Sequence, residues 1–200
     1  MKRLVELLVR SRETLEAAIA RAHPEECCAL IYAGERDEGG LVLELVPNIA
    51  DLLHAADPES FPRTARTGYA IDTRLIMKAE REGHTLVAIV HSHPDGGTAL
   101  SAEDLRLATL PMGGPSWPGV AQVVLDGRGG RLGGFAVHVW DGSASSFEMV
   151  ARWPDSVEER PAGWPRAGAI APILAVESER RSCKSLGPSP GMSGKPASKA

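Results

Sequence analysis

The residues best suited to chemistry are two histidines one residue apart, followed by a Ser-x-x-Asp: His91, Ser92, His93, Pro94, six further residues, then Ser101, Ala102, Glu103 and Asp104. The apolar run 86–90 before them reads as a central strand covered on both faces. At the extended end of such a strand, residues two apart point to the same side, so His91 and His93 present two imidazoles to one point. Pro94 stops the strand, and Gly96 and Gly97 ease the loop over 91–100. Ser101 then opens a helix whose first turn carries Asp104 back toward the histidines. Two imidazoles and one carboxylate leave a fourth position for water, the arrangement of a catalytic rather than a structural zinc. Zinc in that position polarises a carbonyl and acidifies water. Ser-x-x-Asp alone is also a helix-capping pattern, and His-x-His alone is a weak signal. It is the joint spacing that points to a metal, and a capping serine can still aim its hydroxyl into the site.

The elements around these residues follow from apolar spacing. Residues 4–9 are expected as a short strand. Ser11 caps a helix with Leu15, Ala18, Ile19 and Ala22 on its buried face, stopped by Pro24. Runs 28–32 and 41–46, turned at Gly39–Gly40, read as a hairpin. Pro47, Pro58 and Pro62 break the stretch 47–69, which is long enough to suggest a functional loop. Asp72 or Thr73 opens a helix with Ile71, Leu75, Ile76 and Ala79 as its apolar side, ending at Gly83. Strands are expected over 120–125 and 135–140, turned at Asp126–Gly127, with a last one over 147–150. From about 155 onward Pro, Gly, Ser and charge dominate, interrupted by apolar 170–176, and 187–200 is expected as a flexible tail. Without a steady βαβ rhythm, the class is α/β or α+β around one mixed sheet. Residues 1–154 are expected as one domain and 155–200 as its tail.

Composition narrows the function classes. Hydrophobic content of 43% with 24% charge over 200 residues suits one globular domain. A net charge of −4 without a basic surplus argues against a nucleic-acid partner. Lys2 and Arg3 before an apolar run imitate a signal peptide, but Glu6 interrupts it and Arg10 and Arg12 close it. No run approaches the roughly 20 apolar residues that span a bilayer, so no membrane partner and a cytoplasmic location are expected. Cys27, Cys28 and Cys183 make no disulfide framework and fit a reducing compartment. In a strand, Cys27 and Cys28 would face opposite sides.

The stretch His91 to Asp104 resembles, in every fixed position, the H-x-H-P-x6-S-x-x-D motif of the JAMM/MPN+ (JAB-domain) zinc metallopeptidases. Residues 24–31, with Glu26 two before Cys28, resemble the family's E-x-C-G-like strand start, with Ala29 where the family has Gly. The resemblance covers about residues 3–150. It implies a curved mixed sheet flanked by helices in a cytidine-deaminase-like layering, with zinc on His91, His93 and Asp104. It also implies that Glu26 is the general base and that Ser101 donates to the oxyanion. Without the resemblance, Glu26 or Glu25 reads as a solvated carboxylate near a helix end. Family members cleave peptide or isopeptide bonds after the C-terminus of ubiquitin-like proteins. The short form is similar to bacterial-type members that process ubiquitin-like or sulfur-carrier proteins, whose chains end in Gly-Gly. Segments 47–69 and 111–119 are then the expected groove walls.

Two rivals stand beside this. A RadC-like branch, associated with DNA repair, shares the motif but usually carries an N-terminal helix-hairpin-helix region and an Asn between the histidines, where this chain has Ser92. A non-enzymatic MPN scaffold would typically have lost ligands that this chain keeps. His23, His54, His84 and His138 lack a partner at ligand spacing and read as surface or satisfied histidines, His54 being the nearest to a cleft. Trp117 lines the cleft or simply packs. Arg131-Leu132-Gly133-Gly134 imitates a ubiquitin-like terminus but sits in a turn. Cys28 reads as a small buried hydrophobe.

Overall fold

A computed structural model describes residues 1–34 and 40–154. Apolar residues one helical turn apart build its first layer, helices α1 (Lys2–Arg10) and α2 (Arg12–Ala22). In α1 Leu4 and Leu8 are buried, while Lys2 and Glu6 approach to 4.0 Å on the exposed side. The strand expected over 4–9 is thus corrected. The apolar run was too short to show its period, and the charges at 2, 3, 6 and 10 complete a helical one. Helix α2 buries Leu15, Ala18 and Ile19 as expected, although Ser11 makes no side-chain capping bond.

The second layer is a sheet of six strands: β1 (Cys28–Gly34), β2 (Leu41–Val46), β3 (His84–His93), β4 (Ala121–Asp126), β5 (Gly134–Asp141) and β6 (Ser146–Trp153). Their order is β2-β1-β3-β4-β5-β6, and only β3 and β4 run parallel. A parallel pair needs a long crossover, here residues 94–120. That crossover leaves β3 at His93 and carries α5 (Ala102–Ala108), which bears Asp104. The fold is a single α/β domain, with one mixed six-stranded sheet and five α-helices among the described residues.

The sheet buries both faces. On one, Leu8, Leu15 and Ile19 of the helices pack on Ile31, Val90, Val123 and Phe135. On the other, Cys28, Leu30, Leu86 and Ile89 meet Ile76 of α4 (Thr73–Arg81). Cys27 and Cys28 fall in opposite cores, as strand alternation requires. Opposite β1, the register skips Val87, pairing Ile31 with Ala88 and Tyr32 with Leu86. This bulge shifts the phase of β3, so Leu86 and Ile89 share the second core. By alternation, His91 and His93 follow Ile89 onto that face.

Three further boundaries differ from expectation. Strand β3 continues through His93, so 91–93 are strand rather than loop, because the β4 partnership extends to His93–Asp126. Helix α3 (Ala50–Ala56) was not foreseen; Pro47 and Pro58 forbid a longer helix but leave room for two turns. Helix α4 ends at Arg81, before the expected stop, and Asp72 caps its start by accepting from the Arg74 amide at 3.0 Å. The Gly39–Gly40 turn and all expectations for 155–200, including 170–176 and 187–200, fall on or across residues outside the described ones. No described helix is long and apolar enough to cross a membrane.

Candidate metal centre

The end of β3 and the first turn of α5 bring His91, His93 and Asp104 together, with one ligand atom from each lying within 4.8 Å of the others. Nε2 of His91 lies 3.3 Å from one Asp104 carboxylate oxygen, and Nε2 of His93 lies 3.2 Å from the other. Ser101 and Asp104 form a reciprocal cap. The Asp104 amide donates to Ser101 Oγ at 3.1 Å, and the Ser101 amide donates to an Asp104 carboxylate oxygen at 2.7 Å. Capping and site formation are therefore the same geometry. The backbone behind the ligands is pinned as well. The carbonyl of His93 accepts from the amides of Gly96 and Gly127, both at 3.0 Å. Gly96 has φ +92°, a left-handed conformation that glycine adopts without strain. A Cβ on Gly127 would come within 3.2 Å of that same carbonyl oxygen.

The residues fit a metal. His91 is fully buried, and neither of its ring nitrogens has a hydrogen-bond partner. Nε2 is near Asp104 but not aligned to bond it. An unsatisfied buried ring is costly, and a metal at Nε2 removes part of that cost. Burial also pulls the pKa of His91 down, favouring the neutral ring that ligation needs. Burial works against both His93 and Asp104 in their charged forms, but their mutual contact outweighs it. His93 is raised, and Asp104, which also bonds Ser101 and meets His91, is held far below the usual carboxylate range. Two imidazoles and a carboxylate form a donor set suited to zinc.

Glu26 faces this cluster from the entry to β1. Cys28 pairs with His91, and the amide of Ser92 donates to the carbonyl of Cys27 at 3.1 Å, so Glu26 stands opposite His93. Ser92, the residue between the ligands, adds a second tie: its buried Oγ accepts from the Cys27 amide at 2.9 Å. Glu26 is only 6% exposed, and its Oε2 has no hydrogen-bond partner. Burial raises its pKa to about 8; the charge of His93 pulls the other way and that of Asp104 adds to the rise.

Several supporting residues were not singled out from sequence. Asn48 ties the irregular stretch to Glu26 by four bonds. Its Nδ2 donates to the carbonyls of Glu26 and Gly68, both at 3.1 Å, and its Oδ1 accepts from the amides of Ala50 at 3.1 Å and Ala70 at 3.0 Å. The Tyr69 ring stacks on His91 with centroids 4.2 Å apart and planes at 17°. His138, set aside as a satisfied histidine, donates through Nε2 to the Thr98 carbonyl at 2.8 Å and so anchors the loop between the ligands. An Asn in a Pro-rich connection was the one available hint for Asn48. Tyr69 and His138 carry no local signal. His54 is half-buried on α3, and its Nδ1 bonds the Phe61 carbonyl at 2.8 Å, a structural tie. His84 packs edge-on against Tyr32, and Arg131–Gly134 joins β4 to β5.

Residues 9–150 match the family described as prokaryotic homologs of the JAB domain. No curated protein matches the chain. Among solved structures it is similar to the solution structure of protein DSY2949 from Desulfitobacterium hafniense, at 18% identity over 70% of this chain and 85% of that one, with a TM-score of 0.47. It is also similar to a protein from Salinibacter ruber, at 22% identity over 78% of this chain and 91% of that one, with a TM-score of 0.45.

Proposed function

The chain belongs to the prokaryotic homologs of the JAB domain, and from that premise we propose that it is a zinc-dependent hydrolase of amide bonds. His91, His93 and Asp104 are its ligands, Glu26 its general base and Ser101 its oxyanion donor. The observation that carries this reading is the meeting of His91, His93 and Asp104, with His91 Nε2 buried and without a hydrogen-bond partner. When bound there, zinc supplies Lewis acidity and acidifies water.

The chain's own groups account for the rest. Glu26 Oε2, free of other partners, takes the proton of the attacking water and hands it to the leaving amine. Ser101 Oγ accepts from the Asp104 amide, and no described hydrogen bond uses its own proton. That proton is available to the oxyanion as the carbonyl is attacked. Ser92 and Asn48 hold the Glu26 backbone in register with the ligands.

The substrate follows from the need to hold an extended chain beside the cluster. The reading names a small ubiquitin-like or sulfur-carrier protein, cut after its C-terminal Gly-Gly in a reducing cytoplasm. Residues 1–154 suffice for this activity. A panel of such carriers with C-terminal extensions, each with Gly-Gly intact or changed to Ala-Ala, tests it. Preferential cutting of the Gly-Gly members supports the reading. Equal cutting of both, or cutting of unrelated unfolded peptides alone, removes the substrate and leaves the hydrolase.

A further inference from the structure

Beside the cluster, on the same face of the sheet, lies an apolar cavity of about 220 Å³. Tyr69, whose ring stacks on His91, is one of its lining residues and so joins the cavity to the cluster. Buried Ile76, Ile89 and Gln122 line it, with Ala108 and Trp117 beside them. Phe61 and Leu107, lining residues from the irregular stretch and α5, are 43% and 39% exposed. With the cavity they offer apolar surface to a bound chain.

Size and polarity specify the occupant. The volume falls below the roughly 300–1,000 Å³ of sites that engulf a whole small molecule and suits one large side chain. The lining charges are directed elsewhere. Glu103 is paired with Arg106 at 2.6 Å, and exposed Arg63 donates to the Thr67 carbonyl at 3.3 Å. Gln122 Oε1 lies 3.5 Å from the Tyr69 hydroxyl. A charged side chain entering here would lose its hydration against a mostly carbon lining, whereas an apolar one covers carbon surface.

We propose that this cavity is a specificity site that accepts one bulky apolar side chain, leucine-sized or larger, from the polypeptide whose amide lies at the His91–His93–Asp104 cluster. The inference rests on the hydrolase reading above, and its test separates the two. Metal-free protein, labelled for NMR, is titrated with capped Xaa-Gly-Gly and Gly-Gly-Xaa peptides in which Xaa is Leu, Phe, Ala or Asp. In at least one series the Leu and Phe peptides should bind about tenfold or more tighter than the Ala peptide. They should shift the methyl signals of Ile76, Ile89 and Ala108, and the Asp peptide should not. Leu107→Glu, at a partly exposed position, should abolish the difference without unfolding the protein. Ala108→Phe should do so by filling the space. Equal binding of all four peptides, or Leu and Phe binding that leaves those methyls unmoved, overturns the proposal. With zinc-loaded enzyme, carriers varied at the same positions should show the same preference in kcat/KM. Cutting without any preference overturns the cavity's role and leaves the hydrolase reading intact. Peptide binding in the cavity without cutting of any carrier or any other peptide overturns the hydrolase reading instead.

Discussion

The two faces of the sheet are built on opposite principles. The face under α1 and α2 is almost wholly carbon: Leu8, Leu15, Ile19, Val90, Val123, Leu125 and Phe135 are buried there. The other face carries His91, Asp104 and Glu26, all buried and ionisable, beside a cavity. Burying polar atoms without partners costs free energy, whereas burying apolar area contributes it. The first face therefore supplies most of the apolar burial, and the second combines a smaller core with the cluster, on the other side of β3.

The largest way to break this division is from the supporting side. Leu15→Ala, at a fully buried position, should cost about 2–5 kcal/mol of stability. Denaturant unfolding measures that loss, and zinc content of the fraction still folded should stay at the wild-type level. Loss of zinc from that folded fraction would mean that the faces are not separable.

Glu26→Gln approaches from the other side. It keeps the size of the side chain but cannot accept a proton, so turnover should fall by at least about a hundredfold while zinc stays bound. Near-normal turnover in a zinc-loaded variant would pass the role to another group, Glu25 first.

The same substitution sharpens the comparison in stability. In metal-free protein the pKa of Glu26 is raised from 4.5 to about 8, so folding favours its protonated form. Its contribution is complete below the unfolded value and is lost as pH rises toward the folded one. Metal-free Glu26→Gln should therefore melt several degrees above metal-free wild type near about pH 8.5, and close to it near about pH 5. A constant difference across that range would contradict the buried-charge explanation. The smallest effect is expected beyond the described residues. Deleting 187–200 should leave melting temperature and activity unchanged, because its Pro, Gly, Ser and Lys offer no apolar period to pack. A melting temperature lower by several degrees would show that it packs on the domain.

The site was legible in sequence where its geometry is local. His91 and His93 are related by strand alternation, and Ser101 and Asp104 by the first turn of a helix. Glu26 is different. Its place opposite His93 depends on the β1–β3 register across 65 residues, which no local spacing encodes, and it came from family resemblance. The errors have the same origin. Six residues cannot reveal a period, so the run 4–9 fits a strand as well as the helix α1. Three prolines break the pattern of 47–69 and mask the two turns of α3. The interactions of Asn48, Tyr69 and His138 exist only once distant segments have met.

The central claim is that His91, His93 and Asp104 together bind one metal ion. Metal analysis after dialysis against zinc, on wild type and on folded His93→Ala, tests it most directly. The account predicts about one zinc per wild-type chain and almost none in the variant. Equal zinc in both proteins, or none in the wild type, would contradict it.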